Sequence, residues 1–555
     1  MTVVWRAIRV RRAWPVVLGL TLVVALAHGG AVRNGFLYDD FHLVVENPAV
    51  SSHAWTTMWT SSEAASRDEK GHNVRPVTMT TYAVDHVMGG GSPFTYHLTQ
   101  LVLHALVVCV VYLVGIALTA QAVPAIGAAL LVGLHPVQTE AVQYLSARSS
   151  ILSALGMLAA LWTYLQARRA GPRTWILQAS SLAAFAAAAL SKETAVAGVA
   201  WFAAYELVVA KAPLTQAVFR IAPYATVAAA VWVWRSFIGG GGGHDADVST
   251  ATATATGLVV LGRHVTGWFV PIGIEPVSPQ PWVGWTDPAA GGALLIVTLV
   301  LIAVGVTAKR LPLASFGLVC GLSALAPVLI LPFLTNVALF QPHRGYAASA
   351  GFALATVETA RALGAVGARW AIRLRPANRA VVGWVAALAL LVGAVWTDAR
   401  QGRAWRDEVR FWSEAVERYP REAGYRRSLG AASARAGDLP RALDAFTAAA
   451  RLDPTLPRVH YNLGLVYTRM GRLDDALAAY ERARERDPTD FKSLANLGLL
   501  YEKKGEKARA LDAYRAALRA APGLGPVREH VDRLERLGTI SPWGATGFPA
   551  VAVPR

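Results

Sequence analysis

Apolar residues in this chain gather into runs long enough to cross a hydrocarbon layer of about 30 Å, and that pattern constrains the fold more than any single motif does. In lipid a backbone must satisfy its own hydrogen bonds, so each run reads as a helix and the chain as an all-α, polytopic membrane protein. The proportions agree, since 54% of the 555 residues are hydrophobic and only 16% are charged. The first segment runs from Trp14 to about Ala31. Others lie near 97–119, 122–135, 148–167, 174–191, 194–210, 219–238, 289–308, 313–332, 345–363 and 380–397, making about eleven in all. The stretch at 122–135 is short for a full crossing, and it and the apolar run from Gly257 to Ile274 are candidates for re-entrant segments.

Sidedness follows from the basic residues, which concentrate in cytoplasmic loops. Arg6, Arg9, Arg11 and Arg12 precede the first segment and place the N-terminus in the cytoplasm. Counting from there, the inner loops hold Arg168, Arg169 and Arg173; Lys211 and Arg220; Lys309 and Arg310; and Arg361, Arg369, Arg373, Arg375 and Arg379. The outer connections are poorer in Lys and Arg, and an odd number of spans puts everything after Trp396 outside. Ala25-Leu26-Ala27 also resembles a signal-peptidase site, and cleavage there leaves Asp39 and Asp40 on the outer face as well. Of the net charge of +17, +10 falls on residues 1–400, where most basic residues precede or separate apolar segments, and no nucleic-acid partner is expected. Cys109 and Cys320 lie inside apolar runs and read as buried structural thiols.

Two outer loops are long, 33–96 and 237–288. The second contains Gly239 to Gly243 and a Thr/Ala run from Ser249 to Gly257, which reads as a flexible linker. After Ala399 the apolar runs stop and charge becomes dense. Pro420, Pro454, Pro488 and Pro522 recur 34 residues apart, the period of tetratricopeptide repeats. Leu429/Leu463/Leu497, Gly430/Gly464/Gly498, Ala442/Ala476/Ala510, Phe446/Tyr480/Tyr514 and Ala449/Ala483/Ala517 keep that register. The small residues allow the two helices of a repeat to approach, and the aromatic is expected to fill the gap against the next repeat. Residues 1–400 are thus a membrane domain and 401–538 a repeat domain, with full repeats near 423–456, 457–490 and 491–524. A half repeat starts at Asp407, a capping helix covers Pro526 to Leu537, and 539–555 is a disordered tail.

Asp39 and Asp40, just outside the first apolar segment, are the sharpest chemical candidates. A carboxylate beside an apolar wall can take a proton from a hydroxyl or help hold a metal, and two in succession point different ways. Arg75-Pro76 ends the same loop, and an arginine at that level grips phosphate bidentately or snorkels. His97, Gln100 and His104 share one helix face, where packing between helices is the ordinary role and a metal pair the sharper one. His135, Glu140 and Arg148 flank the next outer connection, and Glu140 needs a partner or a wet cavity. Lys192-Glu193 and His343-Arg344 sit at outer helix ends and add cations to the acids. Such a face suits a lipid-linked phosphate with a hydroxyl acceptor, although unrelated surface charges give the same pattern.

Gly35-Phe36-Leu37-Tyr38-Asp39-Asp40, Glu46-Asn47-Pro48, Arg75-Pro76, Tyr96-His97 with His104, Leu134-His135-Pro136-Val137-Gln138-Thr139-Glu140-Ala141-Val142, Ser191-Lys192-Glu193 and Arg344-Gly345-Tyr346 follow one another in an order that resembles the transmembrane and tetratricopeptide repeat containing proteins. These are polytopic glycosyltransferases of the C-type fold, and the animal members are O-mannosyltransferases. The resemblance covers nearly the whole chain and implies inverting transfer of a sugar, mannose foremost, from a polyprenyl-phosphate carrier to a protein Ser or Thr hydroxyl on the non-cytoplasmic side. It implies that Asp40 or Asp39 is the catalytic base, with Asp40 the first choice. It further implies that Arg75, Lys192 and Arg344 hold the donor phosphate and that His135, Glu140, His97 and His104 shape the donor site. No metal or other cofactor is expected beyond the lipid-linked sugar itself. Richness in Ala, Arg and Gly suggests a bacterial source, hence an inner-membrane protein with its repeats in the periplasm facing an acceptor or partner protein. The array is shorter than in animal members, and the Arg344 motif lacks a tyrosine-rich continuation. Two other readings are a non-enzymatic, membrane-anchored repeat scaffold for envelope assembly and a lipid-linked sugar transporter, the latter disfavoured because the spans show no internal repeat.

Overall fold

The computed structural model describes residues 4–64, 74–170, 174–239, 248–271, 275, 278–334, 339–370, scattered positions between 385 and 400, 402–456 and 458–539. These are almost wholly helical and divide into two compact units, Met1–Arg406 and Asp407–Arg555. Ala404–Arg406 packs with the first unit, so the boundary falls after the change of composition near 400.

In the first unit, seven helices among the described residues are long and apolar enough to cross a membrane: Trp14–Arg33, Pro93–Thr119, Leu145–Ala167, Thr174–Ser191, Leu214–Ile238, Pro288–Arg310 and Pro312–Leu329. Ala122–Leu134 and Pro136–Gln143 form an eighth if taken as one span bent by 48°. The bend lies where Pro136 lacks an N–H and forces His135 into an extended conformation, φ −69° and ψ 132°. The expected total of about eleven is therefore too high for the described residues. The segment at 194–210 is broken into a 3-10 turn Glu193–Gly198, a short helix Val199–Ala204 and a π-turn Tyr205–Val209. The segment at 345–363 forms the helix Tyr346–Trp370, whose apolar run is interrupted by Glu358 and Arg361. The segment at 380–397 lies largely outside the described residues.

The Thr/Ala run is a second correction, because it is helix and not linker. Ser249 caps the helix Thr250–Phe269, its hydroxyl accepting from the Thr252 N–H at 3.2 Å. Ala255, Leu258 and Val259 then bury against Val283, Ala290 and Ala293. The same helix takes in Gly257 to Phe269 of the run that is a candidate re-entrant segment, and Gly239 to Gly243 lie almost wholly outside the described residues. Small residues let the membrane helices close up. A methyl on Gly317 would stand 2.5 Å from the Gly351 carbonyl, so Pro312–Leu325 and Tyr346–Trp370 touch through backbone at that point. Leu295, Leu299, Ile302 and Val306 of Pro288–Arg310 point outward, as lipid-facing side chains do. The only strand pairing among the described residues joins Ser278–Pro279 to Leu339–Phe340, antiparallel.

The second unit is a row of helix pairs: Ala423–Arg435 with Leu439–Leu452, Val459–Arg469 with Leu473–Arg486, and Phe491–Lys503 with Lys507–Ala520. Glu408–Arg418 precedes them and Gly525–Thr539 follows, while the rest of the expected tail lies outside the described residues. Each pair turns at Gly437, Gly471 or Gly505 with φ of +83°, +76° and +77°, a conformation that costs glycine nothing. Phe446, Tyr480 and Tyr514 cover Gly430, Gly464 and Gly498 of their own repeats, where a methyl would meet the ring at 2.4–2.8 Å. The aromatic thus fills the gap inside its repeat first, and Tyr480 also joins the core containing Leu494 and Leu497 of the next one.

Candidate active site

The loop Asn34–Asp40 leaves the turn Gly29–Arg33 and has its polar groups fastened from several sides. Asn34 donates to the Gln143 side chain, and Nε2 of His97 lies 3.3 Å from the Gly35 carbonyl. Tyr38 has a φ of 47°, left-handed for a side chain with a ring, which turns the two following aspartates in opposite directions. Asp40 turns inward and is fully buried. Its Oδ2 accepts the Leu37 N–H at 3.0 Å, and its Oδ1 accepts the Ser146 N–H and hydroxyl at 2.9 and 2.6 Å. Three donors commit that carboxylate to holding the loop. Asp39 stays partly exposed, and its Oδ2 accepts the Tyr144 hydroxyl at 2.8 Å.

Burial raises the pKa of both. For Asp39 the Tyr144 hydrogen bond and the charges of His42, Arg344 and Arg75 work against the rise. For Asp40 burial carries it to about 7 against its hydrogen bonds from Ser146 and Leu37.

Cations surround the neighbouring cleft. Arg75 grips Glu193 bidentately, Nε to Oε2 at 3.1 Å and Nη2 to Oε1 at 2.8 Å. Arg235 reaches the same Oε2 at 3.2 Å and donates to the Ala189 carbonyl at 2.8 Å. Burial alone would raise Glu193, yet the two guanidiniums hold it well below the usual carboxylate range. Lys192 is buried, with Nζ donating to the Ser150 hydroxyl at 2.7 Å. Burial, then Arg75 and Arg344, lower it to about 7, opposed by Glu193 and Glu140. Arg344 donates from Nε to Gln341 at 2.7 Å, and its buried Nη1 has no hydrogen-bond partner among the described residues. Burial brings it only to about 10, so it keeps its charge at neutral pH. Lys192 and Arg344 line one cleft with Ser150, Ser153 and Thr194.

Glu140 is buried and holds His343 twice, accepting the backbone N–H at 3.0 Å and standing 2.9 Å from Nδ1. Burial, with Lys192, Arg344 and Arg75 nearby, keeps His343 well below its usual pKa. The histidines expected to shape the donor site make packing contacts. His104 lies between the Tyr346 hydroxyl, 2.6 Å, and the Gly133 carbonyl, 3.3 Å. His135 stacks on Trp268 at 4.2 Å, lies 2.9 Å from that residue's carbonyl and accepts the Val137 N–H at 3.3 Å. Gln100 ties the Ala141 carbonyl at 2.6 Å to Arg148, which pairs with Asp85 at 2.5 Å in full burial.

The structure therefore gathers Asp39, Glu140, Lys192, Arg75 and Arg344 at one end of the helical unit and gives His97, His104 and His135 supporting places. Sequence reasoning missed Tyr144, Ser146, Ser150 and Arg235. Arg235 was discoverable, as the lone charge in the apolar run from Ile221 to Ile238. Tyr144 and Ser146 carry no local signal, because their importance lies in contacts across 105 and 106 residues of chain.

Two family models match the second unit, "Tetratricopeptide repeat" over residues 461–524 and "TPR repeat" over 430–471. The chain is similar to "Protein O-mannosyl-transferase TMTC3" of Homo sapiens, 28% identical over 200 residues that cover 34% of this chain and 21% of the relative. It is similar also to "Protein O-mannosyl-transferase Tmtc2" of Drosophila melanogaster, 29% identical over 171 residues, 29% of this chain and 18% of the relative. The chain thus spans about a fifth of the length of these curated relatives. Among solved structures, "Crystal structure of MamA" aligns with 26% of this chain and 82% of its own at 20% identity and a TM-score of 0.24. The chain thus carries apolar, membrane-length helices ahead of a tetratricopeptide array, and over about a third of its length it is similar to TMTC proteins.

Proposed function

We propose that the chain transfers a sugar, mannose, from a polyprenyl-phosphate carrier to a Ser or Thr hydroxyl of a protein at the periplasmic face of a bacterial inner membrane. One observation carries the reading. A partly exposed carboxylate, Asp39, feels the charges of Arg344 and Arg75, and Arg344 lines a cleft with Lys192 and has a buried nitrogen, Nη1, left without a partner among the described residues. The named activity of the relatives supports the choice of sugar and acceptor.

The chemistry balances with these groups alone. The acceptor oxygen attacks the anomeric carbon from the side opposite the phosphate, the bond from that carbon to the phosphate oxygen breaks with its electron pair, and the hydroxyl proton passes to Asp39. The product is an inverted glycoside and a free polyprenyl phosphate. Tyr144 donates to Asp39 and fixes its direction. Lys192 and Arg344 meet the charge that develops on the leaving phosphate, and preorganised cations in a dry site are effective at that task. Arg75 and Arg235, both held on Glu193, form a second rank of cations behind them. The repeat array would hold the acceptor or a partner protein.

The test uses purified full-length protein in nanodiscs with mannosyl-phosphoryl-undecaprenol and a periplasmic protein extract. Transfer of label to protein, with matching release of undecaprenyl phosphate, is expected, and Asp39→Asn should lower it by about a hundredfold or more. Label transfer unchanged by Asp39→Asn would sink the assignment. Absence of release altogether would favour the scaffold reading.

A further inference from the structure

The first unit ends in a three-residue 3-10 turn, Ala404–Arg406, that lies against the loop bearing the aspartates. The Gly35 N–H donates to the Arg406 carbonyl at 3.2 Å, and a methyl on Gly35 would stand 3.3 Å from that oxygen, so the two backbones meet closely. Trp405 is only 2% exposed, burial that a surface turn does not require. Its ring lies 5.7 Å from that of Tyr144, centroid to centroid, at an interplanar angle of 36°. On another side, Tyr144 meets the His343 ring at 6.1 Å, and its hydroxyl reaches Asp39 at 2.8 Å. Tyr144 thus sits between two rings, one supplied by the turn and one by the Glu140-held histidine. A phenol held that way keeps one rotamer, and its hydroxyl keeps one target.

We propose that Trp405 is a positioning residue of this site, which fixes Tyr144 and through it the direction of the Asp39 carboxylate, so that the turn before the repeats is a working part of the catalytic end. The inference rests on the transferase reading above. It also gives the turn a second meaning, since the chain passes from Arg406 straight into Asp407, whose side chain caps the first helix of the repeat unit.

A residue that acts only through Tyr144 must lose its influence when Tyr144 can no longer donate to Asp39. The experiment compares full-length wild type, Trp405→Ala, Trp405→Phe, Tyr144→Phe and the double variant Trp405→Ala/Tyr144→Phe in the nanodisc assay with mannosyl-phosphoryl-undecaprenol. Trp405→Ala should lower kcat by about tenfold or more while the donor KM stays within about twofold, because positioning loss falls on the reacting geometry and not on uniform binding. Trp405→Phe should retain most activity, and the double variant should be no slower than Tyr144→Phe alone. Losses that multiply in the double variant, or a Trp405→Ala protein as active as wild type, overturn the proposal. If Trp405→Ala does not accumulate, Trp405→Leu with and without Tyr144→Phe decides by the same comparison. Absence of transfer by the wild-type protein would overturn the transferase reading itself and an active Asp39→Asn would remove Asp39 as the base, whereas an active wild type and an inactive Asp39→Asn beside an unaffected Trp405→Ala overturn this inference alone.

Discussion

Asp39 and Asp40 are chemically identical and adjacent, yet their surroundings give them opposite work. Asp40 receives three hydrogen bonds inside the protein, and Asp39, partly exposed, receives one from Tyr144. Asparagine at 40 can accept from only one side, so its amide would face either the Leu37 N–H or the Ser146 donors. Asp40→Asn should therefore cost about 1–3 kcal/mol of stability, visible as a lowered melting temperature in detergent, while Asp39→Asn melts as wild type does. A reversed pattern would exchange the two roles. The pH dependence of kcat/KM is a second residue-scale expectation. In the proposed transfer Asp39 must be ionised to take the proton, and its raised pKa places the acid limb above the ordinary carboxylate range, with Tyr144, His42, Arg344 and Arg75 facing it. Lys192 must be protonated to hold phosphate, and its lowered pKa of about 7, beside Arg75, Arg344, Glu193 and Glu140, sets the alkaline limb. The profile should be a bell. Lys192→Arg should carry the alkaline limb upward by more than a pH unit, because guanidinium does not lose its proton in this range. An alkaline limb that stays in place would remove Lys192 from the phosphate site.

At the scale of elements, the repeats were legible because a strict period repeats each contact, so Gly464 and Tyr480 are predictable from Gly430 and Phe446. The consequence is quantitative. A methyl on Gly464 would lie 2.6 Å from the buried Tyr480 ring, whereas one on Gly424 meets nothing within 4 Å. Gly464→Ala should destabilise the repeat unit by about 1–3 kcal/mol, and Gly424→Ala, in a helical turn with open space beside it, should be neutral or stabilising. Amide exchange across Val459–Arg486 reads the difference, and equal protection in both variants would contradict the packing. The membrane elements were less legible. The run Ser249–Gly257 fits linker and helix equally by composition, and what decides it is burial against Ala290 and Ala293, tens of residues away. Likewise the apolar stretch at 194–210 has the length of a span, but its backbone changes from 3-10 to α to π over that distance. That Asp39, Glu140, Lys192 and Arg344 come together could be anticipated because charge beside apolar helices is costly without a use. The choice between Asp39 and Asp40 could not, because Ser146 and Tyr144 make it.

For the whole molecule the governing expectation is sidedness. The helices Leu145–Ala167, Leu214–Ile238 and Pro288–Arg310 each have one end marked by basic residues: Arg168 and Arg169, Lys211, and Lys309 with Arg310. The chemical groups occupy opposite ends: Ser146 and Arg148 at the start of the first, Arg235 near the finish of the second, and Lys192 after Thr174–Ser191. If basic ends face the cytoplasm, the site faces away from it. The two native cysteines, Cys109 and Cys320, are buried, so introduced thiols can be read against a quiet background. A membrane-impermeant maleimide added to intact cells should label Thr56→Cys, on the exposed side of the first outer loop, and Glu485→Cys in the repeats, and should spare Thr215→Cys until the membrane is opened. The outcome bears on chemistry as well as topology, because a lipid-linked donor presented on one leaflet is useless to a carboxylate on the other. Labelling of Thr215→Cys before permeabilisation, with Thr56→Cys protected, would invert the molecule and leave the cation-lined cleft facing the wrong pool of acceptors.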